Sequence, residues 1–147
     1  MLCAIDFSES SLAGLQLALS LVRESDAALT LLHVLQWRSD ELPAPMTEEL
    51  ALEQGFALDD FRRYCEESAQ KRLASLVPDS LRVSHAPVTC LRNGKPYVQI
   101  LRVTAAEGSD LVILGVRGRN PLDMALFGST TNQVVRQATC PVLTLCQ

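Results

Sequence analysis

The sequence predicts a doubly wound α/β fold, a parallel sheet covered by helices on both faces. Three observations predict it. Short, continuously apolar runs such as Met1-Leu2-Cys3-Ala4-Ile5 and Leu111-Val112-Ile113-Leu114 read as strands buried on both faces. Between such runs lie segments whose apolar residues recur every three or four positions, the period of a helix packed on one side. The two kinds of segment alternate from end to end, which is the pattern of strand, crossover helix and parallel strand.

Taken in order, the first strand ends at Asp6, and Ser8 is a suitable N-cap for a helix in which Leu12, Leu15, Leu19 and Val22 share one face. Ala28 to Leu35 is the second strand. From Gln36 to about Gly55 the periodicity lapses, with Pro43, Pro45 and several acidic residues, so a long surface loop is expected there, able to hold a helical turn and to act as a lid. Leu58, Phe61, Cys65, Ala69, Leu73 and Leu76 then mark a second helix that stops before Pro78. Arg82 to Leu91 alternates loosely as a strand, and Asn93-Gly94 makes a turn. Pro96 suits the first turn of a third helix, which carries Ile100, Leu101, Thr104 and Ala105 and ends near Gly108. Leu111 to Leu114 is a strand, Ser129 to Thr139 a helix, and Pro141 to Cys146 the last strand. In sheets of this kind ligands sit beyond the carboxyl ends of the strands, where the strand order reverses. Asp6, the residues after Leu35 and the loop after Leu114 all emerge at that end.

At 147 residues the chain has the commonest size for one domain, expected to span 1–147, and can bury roughly two-thirds of the surface its unfolded form exposes. With 48% hydrophobic and 20% charged residues it is too apolar for a disordered chain. Arg23, Glu24 and Asp26 interrupt the richest apolar stretch, so no run is long enough to cross a bilayer and no membrane partner is expected. The net charge of −4 argues against nucleic acid as a partner, because displacing counterions from a polyanion needs a basic face. An anion site must therefore be built locally. The five cysteines, Cys3, Cys65, Cys90, Cys140 and Cys146, show no C-x-x-C pair or metal-ligand spacing, and read as reduced thiols of a cytoplasmic protein. The apolar pattern begins at Met1 with no leader before it, which leaves open an upstream segment or an origin as one half of a tandem protein.

The informative stretch runs from Leu114-Gly115-Val116-Arg117-Gly118-Arg119-Asn120-Pro121 through Phe127 to Gly128-Ser129-Thr130. Two glycines are expected to leave a strand and a third to open a helix. Glycine lets backbone N–H groups approach an anion, and a helix N-terminus offers unpaired donors with a favourable dipole. Ser129 and Thr130 add hydroxyls, and Arg117 and Arg119 supply local positive charge. The same residues also fit a plain strand-end turn, a loop glycine and a helix N-cap.

Spacing adds a further argument. Gly115-x2-Gly118-x9-Gly128-Ser129 resembles the glycine motif of the nucleotide-binding branch of the universal stress protein family. Ala4-Ile5-Asp6-Phe7-Ser8 is similar to that family's opening strand and Asp-x-Ser turn, Leu32-His33-Val34 to its second strand, and Ala138-Thr139-Cys140-Pro141-Val142-Leu143 to its ending. The resemblance implies a five-stranded, Rossmann-like sheet of the kind shared with adenine-nucleotide α-hydrolases. It also implies ATP bound across the strand ends, accompanied by magnesium or manganese, and a homodimer formed through the strand from Pro141 to Cys146. By position, it puts Asp6 on the adenine side, with Ser8 in the same turn, and Val34 against the base. Gly115, Arg117, Gly118 and Arg119 would line the ribose and phosphates, and Gly128, Ser129 and Thr130 would take phosphate oxygens. Ala4 stands where a proline is frequent near the adenine, and Asn120-Pro121 replaces a small, flexible pair.

No G-x-x-x-x-G-K-[ST] or G-x-G-x-x-G motif is present. His33 and His85 have no reason in sequence to meet and read as structural. Asp59-Asp60 and Glu66-Glu67 read as a solvated helix face, Asp123 as a loop residue that could meet a phosphate-bound metal, and Trp37 as cover for the long loop or a stacking partner for a base. No residue is marked as orienting an attacking water, so the expected function is a nucleotide-dependent regulatory or stress-response switch, with at most slow ATP hydrolysis or autophosphorylation. The rival readings are a slow ATP-hydrolysing enzyme and a nucleotide-independent interaction or chaperone-like dimer module.

Overall fold

The computed structural model describes residues 1–36, 58–78, 81, 83–116 and 128–146. Within them the chain runs β1 (Leu2–Ala4), α1 (Glu9–Ser25), β2 (Thr30–Leu35), α2 (Leu58–Ala74), β3 (Val88–Asn93), α3 (Pro96–Ala106), β4 (Val112–Val116), α4 (Ser129–Gln137) and β5 (Val142–Cys146). All four strand pairings are parallel, in the order β3-β2-β1-β4-β5, with β1 between β2 and β4: Leu2 pairs with Thr30 on one side and Val112 on the other. The fold is therefore the doubly wound α/β sheet that the alternation predicted.

The strands are apolar on both faces because both faces are covered. Cys3 and Ile113 point into one core with Leu15, Leu19, Val22 and Leu73, beneath α1 and α2. Leu2 and Leu114 point the other way, into a core with Ile100, Val103 and Val134, beneath α3 and α4. Burial pushes the Cys3 thiol up to about 12 and also raises Cys90, so neither is primed as a nucleophile.

Several boundaries differ from expectation. The buried stripe of α1 is Ser11, Gly14, Leu15, Ala18, Leu19 and Val22, with Leu12 only half-buried, because small residues let the helix lie close to the sheet. On α3 it is Ile100, Val103 and Thr104, while Ala105 faces out. The third strand starts at Val88 rather than Arg82 and runs on through Asn93, where Gly94 turns the chain at a φ of 125°. The expected loop from Gln36 to Gly55, including Trp37, lies outside the described residues after Gln36. Among the described residues no helix is long and apolar enough to cross a membrane, and no group of three or more His, Cys, Asp or Glu could hold a metal ion.

Candidate functional site

The reversal in strand order falls between β1 and β4, and a cleft of about 370 Å³ opens beside it. Its floor is Ala4, Leu32, Val34 and Leu114, at the carboxyl ends of three strands. Pro96 and Ile100 of α3 form one wall, and Gly128, Ser129, Thr130 and Thr131 at the start of α4 form the other. Ile5, Asp6, Ser11 and Gly115 also line it. One end is thus apolar and the other is a helix N-terminus, the division that a ligand with a flat ring at one end and an anion at the other requires.

The start of α4 is the most polar part. Its first intrahelical bond runs from the amide of Asn132 to the carbonyl of Gly128 at 3.0 Å. The amides of Ser129, Thr130 and Thr131 precede that bond and have no acceptor within the helix. The N-cap is Gly128, which has no side chain to offer, and among the described residues no side chain caps this end. A Cβ built on Gly128 would meet nothing within 4 Å, so the space beside it is open.

Gly115 differs from its expected role. It does not leave the strand: it lies inside β4, paired with Leu145. A Cβ there would stand 2.3 Å from the amide nitrogen of Ser11 and 2.5 Å from the carbonyl carbon of Ser10. The glycine is required because the first turn of α1 rests directly on the strand, and its place in the cleft lining follows from that packing.

Asp6 sits in the turn between β1 and α1. Its Oδ1 accepts from the backbone N–H of Ser8 at 2.9 Å and from the Ser8 hydroxyl. Ser8 is the N-cap of α1, accepting from the Ser11 amide at 3.3 Å, and it does not line the cleft. Of the residues singled out in the sequence, Ala4, Asp6, Val34, Gly115, Gly128, Ser129 and Thr130 meet around this one cleft. Arg117, Gly118, Arg119, Asn120, Pro121 and Asp123 lie outside the described residues. Sequence reasoning missed the wall from α3, Pro96 and Ile100. The signal was there: Pro96 opens a helix directly after a turn at the carboxyl end of β3.

The model of the universal stress protein family matches residues 1–145. The universal stress protein YxiE of Bacillus subtilis is 29% identical over 143 residues, covering 97% of this chain and 95% of that protein. Among solved structures, that of MJ0577 from Methanocaldococcus jannaschii superposes with a TM-score of 0.75 at 23% identity, covering 99% of this chain and 94% of the other. Two more distant structures hold nucleotides. One is a universal stress protein in complex with cAMP (TM-score 0.59, 17% identity, 99% and 94% covered), the other that of Archaeoglobus fulgidus in complex with dAMP (0.56, 16%, 98% and 94%). At these identities the structural likeness carries the fold.

Proposed function

The chain belongs to the universal stress protein family, and from that premise we propose that it is a regulatory protein switched by an adenine nucleotide, with ATP the leading ligand. The observation that carries this reading is the uncapped, glycine-led start of α4 facing an apolar slot across one cleft. Three amides at a helix N-terminus, with no acceptor within the helix, suit a phosphate, and Val34, Pro96 and Ile100 suit the face of a base. The complexes of relatives with cAMP and dAMP support a ligand of that class.

In this reading Asp6 holds the base and ribose side, with Ala4 beneath it. Gly128, Ser129 and Thr130 take phosphate oxygens, and Gly115, Arg117, Gly118 and Arg119 line the ribose and phosphates, with magnesium or manganese accompanying the ligand. Residues 1–147 act as one domain in the cytoplasm. Two copies pair through the strand from Pro141 to Cys146, where β5 ends the order of the described strands and Leu143 is exposed. In this reading catalysis is at most slow ATP hydrolysis or autophosphorylation.

The test is to denature freshly purified protein, identify any released nucleotide by mass spectrometry, and titrate the emptied protein calorimetrically with ATP and magnesium. Release of ATP or saturable rebinding is expected. No nucleotide and no heat would replace this reading with a nucleotide-independent interaction module.

A further inference from the structure

The turn between β1 and α1 contains a residue in a conformation that its side chain disfavours. Phe7 has a φ of 61°, in the left-handed region that bulky residues seldom occupy. Two side chains touch its ring. The His33 imidazole lies 4.6 Å away between ring centroids, tilted by 50°, and the Arg72 guanidinium of α2 stands 4.0 Å from the ring centroid. His33 is itself fixed, because its Nδ1 lies 2.6 Å from the carbonyl oxygen of Ile5. A carbonyl oxygen only accepts, so Nδ1 carries the proton and donates.

These contacts close a loop around one residue. Ile5 is tied to His33, Phe7 touches both His33 and Arg72, and Asp6 lies between Ile5 and Phe7 in the chain. Asp6 lines the cleft, and its Oδ1 is bonded within the same turn to Ser8. Where that carboxylate stands therefore depends on the turn keeping its left-handed form. None of the described residues of α2 lines the cleft.

We propose that Phe7, His33 and Arg72 are positioning residues: a cluster in which a cation and an imidazole both touch one aromatic ring, fixing the left-handed turn, and with it the Asp6 carboxylate, for nucleotide binding. This rests on the adenine-nucleotide reading of the cleft. It brings α2, from outside the cleft, into the control of affinity. Phe7 also packs on the core beneath α1 and α2, so the test must separate positioning from packing.

The experiment is a calorimetric titration with ATP and magnesium, alongside thermal melts, of the full chain, five single variants and one double variant. Arg72→Met keeps the stem and removes the cation, and Arg72→Lys keeps a cation. Phe7→Gly makes the left-handed backbone easier but deletes the ring, and Phe7→Tyr keeps both ring and packing. Asp6→Asn serves as the background for a double-mutant cycle. Arg72→Met is expected to weaken ATP about 2- to 5-fold, the size of an exposed cation–aromatic contact. Phe7→Gly should weaken it more, Arg72→Lys and Phe7→Tyr should stay near the unaltered chain, and the Arg72→Met loss should vanish in the Asp6→Asn background.

Equal affinities for Arg72→Met, Arg72→Lys and the unaltered chain would overturn the proposal, as would full affinity in Phe7→Gly, or losses at Arg72 and Asp6 that simply multiply. Should Phe7→Gly fail to fold, the Arg72 pair, on an exposed helix position, still decides. Failure of the unaltered chain to bind ATP would instead sink the nucleotide reading, so the two failures are told apart by the first titration.

Discussion

Two helices begin at the same edge of the sheet, on opposite faces, and they begin in opposite ways. The start of α1 is self-contained: Ser8 caps it, and its first turn is pressed against β4 so closely that only glycine fits at position 115. The start of α4 has neither a cap among the described residues nor a neighbour crowding its glycine. Both ends begin with amides that have no acceptor within their own helix, and with the same dipole. The difference teaches that a helix N-terminus is kept open to a ligand by what is withheld from it. A serine cap and a packed glycine make one end structural, and a glycine cap with open space leaves the other available.

The sharpest way to break the contrast is at Gly115. Gly115→Ala should destabilise the protein by about 3 kcal/mol or more, because the new Cβ overlaps backbone rather than a movable side chain, and a clearly lowered melting temperature is the readout. Retained stability would mean that α1 can lift from the sheet. Gly128→Asp tests the opposite end by giving α4 the cap it lacks. Stability should rise by a few tenths of a kcal/mol, whereas ATP affinity should fall more than about tenfold, since the carboxylate occupies the amides and repels phosphate. A variant in which stability and affinity moved together would erase the distinction between the two ends. The smallest effect is expected from Ser8→Ala, which removes the cap of α1 and should cost about 1 kcal/mol in denaturant unfolding. A much smaller loss would mean that packing alone secures that helix.

The fold was legible because its strands are buried on both faces, so apolar runs such as Leu111 to Leu114 carry an unmistakable pattern, and Ser8 and Pro96 mark helix starts by local chemistry. The seven residues that meet at the cleft were legible as a list, through spacing and resemblance. What stayed hidden was contact between distant segments. Nothing local tells that the glycine at 115 answers to the backbone of Ser10 and Ser11, nor that Phe7 takes a left-handed turn in contact with an imidazole and a guanidinium. Val88 to Asn93 was placed too early because the residues before it alternate without being paired to a neighbour. Ile100 was recognised as core, yet its second job at the cleft depends on where α3 lands on the sheet.

The position of β1 in the middle of the sheet has a consequence for how the protein comes into being. Leu2 meets Thr30, close along the chain, but its other partner is Val112, most of the chain away. The pairing with β2 closes a short loop and can form early, whereas that with β4 must wait for a long one. During synthesis the half carrying Asp6 and Val34 is made well before the half carrying Gly128 and Ser129. The cleft is completed only when both are joined, so a chain still on the ribosome lacks the wall proposed to take an anion until α4 has emerged, and a ligand of the proposed kind would stabilise only the finished product.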